Sequence, residues 1–279
     1  PLQRRQHAGI PLTRTMTAER PTPKALQAVR LVRLVLHLIW GLIMTGLIFP
    51  WVTIPRRDQL KQIWARQALA ILAIHVDARF GHCTPGSLYI ANHISWIDIL
   101  ALNAAQPMAF VSKAEVRSWP LIGWLAAKGD TVFLRRGSRG HARVVNAEID
   151  ARLRQGRDVA VFPEGTTTDG THLLHFHAAL LQPAIESGRP IQPVALSYHD
   201  MQGMRSLAPA YVGDTSFMDC LRSVLATPAL RVQLVALAPF PAQSMARREL
   251  ATAARAAIAL SLGFLPEHTV PETPPGLPV

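Results

Sequence analysis

The sequence predicts an α/β fold: a single domain with a central, mostly parallel or mixed sheet flanked by helices, preceded by an N-terminal membrane-associated helix or helix pair. Three observations predict it. From Ser87 onward, short β-rich runs alternate with helical ones, as in α/β domains. Ahead of them lies a 21-residue run, Leu34–Ile54, without Asp, Glu, Lys or Arg. Charged residues make up only 17% of the chain against 49% hydrophobic, lean for a soluble globular protein.

Each element follows in order. Residues 1–33 hold Arg4, Arg5, Arg14, Arg20, Lys24, Arg30 and Arg33 against one acid, Glu19, and prolines interrupt them, so a basic flexible tail is expected. Residues 34–76 then form a membrane-associated helical segment. At about 1.5 Å per residue, Leu34–Ile54 is long enough for a hydrocarbon core of about 30 Å. Pro50 and Pro55 kink or end that helix. A second helical stretch, Gln59–Val76, follows at once. A single span, a helix pair dipping into one leaflet and a buried core helix all fit, with Trp40, Trp51 and Trp64 as interface anchors. A signal peptide fits less well, because "PRRDQ" stands where a small-residue cleavage site belongs. Residues 77–263 make the α/β domain, and the alternation reads "SLYIANH" then "WIDILALNAA", "MAFVSK" then "PLIGWLAAKG", "TVFLRR" then "HARVVNAEIDARLRQG", "DVAVFPEG" then "LLHFHAALLQPAIESG", and "PIQPVALSYH". A further strand, "LRVQLVAL", and an alanine-rich terminal helix complete it. Residues 264–279 carry five prolines and read as a disordered tail.

Composition narrows the function classes. A formal charge of +11 suits nucleic acid, anionic lipid or phosphorylated substrates. Aromatics are only 6%, no basic region is interleaved with them, and no zinc spacing occurs, which argues against nucleic acid. Two cysteines, Cys83 and Cys220, without C-x-x-C, fit a reducing compartment.

Three motifs could carry chemistry. In "LYIANHISWIDIL" a strand-like run ends at Asn92-His93, and Ser95-x-x-Asp98 matches an N-terminal capping box. Capping alone accounts for an acid in a first helical turn. Yet Asp98 can also reach back to His93, holding one ring nitrogen and leaving the other free as a base. In "VAVFPEGTTTDG" a strand runs into Phe162-Pro163-Glu164-Gly165, spaced for a type I turn, followed by the hydroxyls of Thr166, Thr167 and Thr168. Such a loop suits a polar headgroup. In "TVFLRRGSRGHAR" the arginines 135, 136, 139 and 143 form either a solvated basic loop or a phosphate site, for which the guanidinium fork is well shaped.

Together, "NHISWID", "FLRRG", "FPEGT" and "IQPVALSY" resemble the four ordered blocks of the glycerolipid acyltransferases, of the 1-acylglycerol-3-phosphate acyltransferase (lysophosphatidic acid acyltransferase) type. The first block is met by Asn92, His93 and Asp98, and the second by Phe133 and Arg136. The third is met by Phe162 to Thr166, and the fourth by Ile191 to Ala195 with Pro193. Lys113 and Glu115 in "FVSKAEV", and Pro120 and Gly123 in "WPLIGWLA", also look like the family. The resemblance covers roughly residues 60–240 and departs in two places. Arg135 stands where an acid often precedes the arginine, and His175-Phe176-His177 stands where Pro-Phe-Lys or Pro-Phe-Arg is usual. "FPEGTTTDG" also looks like the lyso-ornithine lipid acyltransferases, whose acceptor lacks phosphate.

The resemblance implies a single acyltransferase domain that moves a fatty acyl group from acyl-CoA or acyl-carrier protein to the free hydroxyl of 1-acylglycerol-3-phosphate, giving phosphatidic acid. Acylation of lyso-ornithine lipid is the alternative. It also implies a place in the membrane, at the cytoplasmic face of the inner membrane. The implied roles are His93 as general base with Asp98 as its orienter, Arg136, Arg135 and Lys113 on the acceptor phosphate, and Glu164, Gly165 and Thr166 shaping the acceptor pocket. The implied co-substrate is the thioester, with no cofactor and no metal. A hydroxyl needs a base at pH 7, whereas a thioester is already activated, so no enzyme nucleophile is needed. Accordingly there is no G-x-S-x-G elbow. Two other classes stay in view. His172, His175 and His177 form H-x2-H-x-H, read either as pocket histidines on a helix or as part of a metal-dependent hydrolase. A non-catalytic membrane-binding protein explains the basic tail and apolar helix but not the His/Asp and FPEGT set.

Overall fold

The computed structural model describes residues 20–135 and 139–264. The expected tails therefore lie mostly outside the described residues. Where the expected basic tail ends, the structure differs: helix α1, Lys24–Ile43, begins inside it. Arg30 is the reason, because its guanidinium donates to the carbonyls of Thr227 (3.0 Å) and Pro228 (2.8 Å) and ties this turn to the domain.

α1 continues through a wide turn, Met44–Ile48, and a tight one, Phe49–Trp51, that contains Pro50. The helical stretch Lys24–Trp51 runs for 28 residues, with a mean hydropathy of 2.0 in its most apolar 18-residue window. It is not a buried core helix, because Leu36, Ile39, Trp40, Ile43 and Leu47 are exposed on its outer face. Helix α2, Ile54–Ile71, starts with Pro55 in its first turn and folds back along α1. The hairpin is clasped by His37 and Trp64. Their rings stack at 5.0 Å, His37 Nε2 bonds the Trp64 carbonyl, and the Trp64 indole N–H donates to the His37 carbonyl. Trp64, expected as an interface anchor, is thus turned inward.

Among the described residues seven strands follow: β1 Ile74–Arg79, β2 Leu88–Ala91, β3 Ala109–Lys113, β4 Val132–Leu134, β5 Val159–Val161, β6 Ile191–His199 and β7 Leu230–Ala236. Their order is β1-β7-β6-β2-β5-β3-β4. β6, β2, β5, β3 and β4 are mutually parallel, while β7 runs antiparallel to β6 and pairs in parallel with β1. The mixed sheet matches the expectation. β1 begins before the boundary expected at residue 77, and Ile74 to Val76, expected at the end of a helix, are strand. α2 is also part of the domain core, since Ala65, Leu69 and Leu72 are buried in one apolar cluster with Leu102, Leu196 and Leu234.

Helices cover both faces. On one lie α1, α2, α3 (Ile97–Ala105) and α7 (Phe217–Ala226). On the other lie α5 (Arg139–Arg154), α6 (Gln182–Ser187) and α8 (Arg247–Ser261), with Ile149, Leu153, Ala184, Ala254 and Ile258 in the core. α4, Ile122–Lys128, joins β3 to β4. The chain leaving β2 goes to α3 on the first face, and the chain leaving the adjacent β5 reaches α6 on the second. A crevice opens at the carboxyl ends of neighbouring parallel strands where their connections diverge in this way. Asn92-His93 and Phe162–Gly165 stand at that point.

One expected helix is absent. "LLHFHA" runs as an irregular loop, and helical turns begin only at Ala178. Side chains have taken the backbone groups a helix would pair: Arg255 donates to the carbonyls of Leu173 and Leu174 (2.7 Å each), and Glu164 accepts the Leu174 N–H. The three histidines are therefore not on a helix.

Candidate active site

The site is built on the tip of β2. The Asn92 side chain acts as a substitute peptide group, donating to the Leu196 carbonyl (2.9 Å) and accepting the Leu196 N–H (2.8 Å) on β6. It is buried, and the paired bonds fix where the chain leaves the sheet. His93 comes next, with 19% of its side chain exposed. Its Nδ1 lies 2.8 Å from Asp98 Oδ2.

Asp98 is fully buried, and both of its carboxylate oxygens are engaged. Oδ2 also accepts the backbone N–H groups of Ile94 (2.7 Å) and Ser95 (2.9 Å), and Oδ1 accepts the phenol of Tyr198 (2.7 Å). Four donors surround the carboxylate, which when ionised can only accept. His93 Nδ1 must therefore carry the proton, and Nε2 keeps a lone pair. Among the described residues Nε2 has no hydrogen-bond partner. Burial and the Asp98 charge raise the Tyr198 phenol well above its ordinary range, so it stays a donor.

The capping box is half realised. Asp98 does accept the Ser95 N–H, but the Ser95 hydroxyl does not cap the helix and lies 4.0 Å from the Cys220 sulfur. The Asp98 N–H that the hydroxyl would accept goes instead to the Ser95 carbonyl at 3.1 Å.

The third block is locked onto His93. The Phe162 ring stacks on the imidazole at a centroid distance of 3.9 Å and an interplanar angle of 10°. Glu164 Oε1 accepts the His93 N–H and its Oε2 the Leu174 N–H, both at 2.9 Å. Thr168 N–H donates to the His93 carbonyl at 2.8 Å. The expected turn closes from Gly165 N–H to the Phe162 carbonyl at 3.1 Å. Gly165 has φ +70°, a left-handed conformation that a side chain disfavours. Glu164 is buried, and burial pushes its carboxyl up to about 7, opposed by the Leu174 and His93 amides, with the Asp98 charge adding to the rise and Arg255 opposing it.

The other predicted residues spread along the same sheet edge. Thr166 is exposed beside the site. Lys113 ends β3 and Arg135 follows β4, both exposed and separated from β2 by β5. Arg136 lies outside the described residues. Among the described residues, no three His, Cys, Asp or Glu side chains converge as a metal-holding group.

Three contributors escaped the sequence reading. Tyr198 is visible only through strand period, which places it on the same face of β6 as Val194 and Leu196. Phe162 belongs to the expected turn, and nothing local marks its ring as the plate under the imidazole. Arg255 sits on α8, and nothing near it in sequence points to the loop it holds.

Comparison with known proteins closes the identification. A family profile described as Acyltransferase matches residues 74–197, from the start of β1 into β6. The chain is 39% identical over 233 residues to the lyso-ornithine lipid O-acyltransferase of Pseudomonas aeruginosa, covering 80% of this chain and 90% of that protein. It is 36% identical over 169 residues to the 1-acyl-sn-glycerol-3-phosphate acyltransferase of Neisseria gonorrhoeae, covering 59% and 66%. The crystal structure of the 1-acyl-sn-glycerophosphate acyltransferase of Thermotoga maritima shares the fold at a TM-score of 0.62 with 20% identity, over 85% of this chain and 96% of that one. With His93 and Asp98 paired at the sheet edge and near-complete coverage of a 39% identical relative, the chain belongs to the acyltransferase family and is an O-acyltransferase.

Proposed function

We propose that the protein transfers a fatty acyl group from a thioester, acyl-CoA or acyl-carrier protein, to the free hydroxyl of a lysolipid at the membrane surface, with His93 as general base. The observation that carries this reading is the His93–Asp98–Tyr198 chain, which leaves one unpartnered imidazole nitrogen at the end of β2. In the proposed mechanism Nε2 takes the hydroxyl proton as the oxygen attacks the thioester carbonyl. The tetrahedral intermediate collapses, the C–S bond breaks, and the imidazolium returns its proton to the departing sulfur. Asp98 steadies the imidazolium while its other donors keep it from taking the proton itself. A positioned general base supplies about 10²–10⁴-fold. Cys220 is buried and bonded to the Pro209 carbonyl, which supports direct transfer without an acyl-cysteine. The chemistry calls for no cofactor.

In this reading Glu164 positions rather than binds, because both its oxygens are occupied by backbone amides. Acceptor contacts then fall to Thr166, to Lys113 and Arg135 at the strand tips, and to Arg136. The outward face of α1 supports membrane association, and we place the active site on the cytoplasmic side, where the thioester donors are.

For the acceptor we favour lyso-ornithine lipid, because similarity to the Pseudomonas enzyme extends over 80% of this chain against 59% for the Neisseria enzyme. 1-Acylglycerol-3-phosphate is the second reading, favoured by the basic strand tips. Purified protein, labelled acyl-CoA or acyl-carrier protein and a panel of both lysolipids test this. Transfer to lyso-ornithine lipid alone supports the first reading, and transfer to 1-acylglycerol-3-phosphate alone replaces it with the second. No transfer to any lysolipid overturns the function.

A further inference from the structure

The segment Trp119–Lys128 takes no part in the site, yet it is built with some strain. It leaves β3 and leads to β4, the two strands whose tips carry Lys113 and Arg135. Trp119, Leu121, Ile122 and Trp124 are all exposed, Leu121 at 59%. The backbone holds them there. Leu121 has φ +63° and ψ −51°, a conformation unfavourable for any residue with a Cβ. Gly123 is pressed against the preceding turn so closely that a Cβ would come within 2.3 Å of the Arg117 carbonyl oxygen. The Gly123 N–H also donates to the Trp119 carbonyl at 2.9 Å. Leu121 caps α4, its carbonyl accepting the Leu125 N–H at 2.9 Å, but its side chain is held outward between two exposed tryptophans and buries little of its apolar surface inside the chain. A contact outside the chain would offset the strain.

Two further observations say what lies there. The patch adjoins α1: a Cβ on Gly46 would meet the Trp124 ring at 3.2 Å, so α4 stands against the wide turn that ends the apolar helix. Its rim is basic. Lys128 Nζ lies 5.9 Å over the Trp124 ring, the Arg117 guanidinium lies 5.6 Å over Phe133, and Lys113 and Arg135 are exposed nearby with Glu115 as the one acid on that turn. Exposed tryptophans beside basic side chains that fold over aromatic rings are the composition of a bilayer interface rich in anionic headgroups.

We propose that Trp119–Lys128 is a second membrane-contact surface, seated in the headgroup region of an anionic bilayer beside the α1–α2 hairpin. It rests on the membrane association proposed above for α1. With both contacts made, the tips of β3 and β4 face the lipid, and a lysolipid reaches Lys113 and Arg135 by lateral diffusion.

Depth-dependent quenching tests this in the full chain. In a Cys83→Ser, Cys220→Ala background checked by circular dichroism, an NBD fluorophore is attached at Leu121→Cys, Leu36→Cys or Leu260→Cys. Each protein is reconstituted with phosphatidylglycerol/phosphatidylcholine vesicles containing doxyl-labelled phosphatidylcholine. Leu36 reports α1, and Leu260 is an exposed control on α8. We expect loss of fluorescence at 121 comparable to that at 36 and well above that at 260. Quenching at 36 but not at 121 overturns the proposal and leaves the α1 reading standing, whereas quenching at neither overturns both. A blue shift at 121 that appears without lipid marks contact with a second protein copy and overturns it too. With native cysteines, Trp119→Ser/Ile122→Ser should slow transfer to vesicle-embedded lysolipid but not to lysolipid dispersed in detergent. Equal rates in both settings also overturn the proposal.

Discussion

Tyr198→Phe removes one oxygen from the core and nothing else, and its consequences can be worked from the geometry. The phenol is the donor recorded on Asp98 Oδ1, at 2.7 Å in a fully buried setting. A hydrogen bond to a charged group is worth about 1.5–3 kcal/mol, and the orphaned carboxylate oxygen cannot turn to water. The variant should therefore lose about 1.5–3 kcal/mol of stability. Asp98 also loses one of the four donors that fix its carboxylate, so the His93 ring is held less firmly and transfer should fall several-fold, in kcat more than in KM. The assay is urea unfolding in detergent alongside initial acyl transfer to a lysolipid, for wild type and Tyr198→Phe. A variant less stable than wild type with an unchanged kcat would reduce Tyr198 to packing. Unchanged stability would refute the reasoning outright.

Other outcomes follow from the same contacts. His93→Ala should cut transfer by about 10²–10⁴-fold while circular dichroism and vesicle binding stay unchanged, and near-normal turnover would sink the mechanism. Burial places Glu164 at about 7 in the fold against 4.5 as its ordinary value, so the native state binds the extra proton between those limits. Stability should therefore be fullest below about pH 4.5 and fall by about 3 kcal/mol as pH rises through 7, a slope that Glu164→Gln flattens. Parallel stability–pH curves for the two proteins would count against that assignment. Arg255→Met should free the Leu173 and Leu174 carbonyls, costing about 1–3 kcal/mol of stability and raising local proteolysis of the 171–177 loop. An unchanged cleavage pattern there would show that the loop holds itself.

Much of this was legible in the sequence for physical reasons. Strand and helix runs announce themselves through local period and through Gly and Pro punctuation, so the α/β alternation could be read directly. His93 and Asp98 could be paired because a strand end and a first helical turn put them within reach by local geometry alone. Tyr198 could not be paired, since it meets Asp98 across a separation of 100 residues that only the β2–β6 adjacency closes. The expected Ser95 cap does not form, because the Asp98 N–H pairs with the Ser95 carbonyl and the hydroxyl lies toward Cys220, a choice made by packing with α7 far away in sequence. The histidine-rich stretch looked helical because its pattern is apolar, but the side chains that replace its helical bonds come from Glu164 and from Arg255 on α8. Trp64 looked like an interface anchor until its partner, His37, was placed opposite it.

The stack of Phe162 on His93, with Glu164 and Thr168 holding the same residue's backbone, has a practical consequence for redesign. The FPEGT loop cannot be exchanged as a specificity cassette. In the proposed mechanism, transplanting it from a homologue would disturb the seat of His93 together with the Thr166 contact. Acceptor choice is then better rewritten at single exposed positions, Thr166 and the tips of β3 and β4, where side chains can change without disturbing the imidazole.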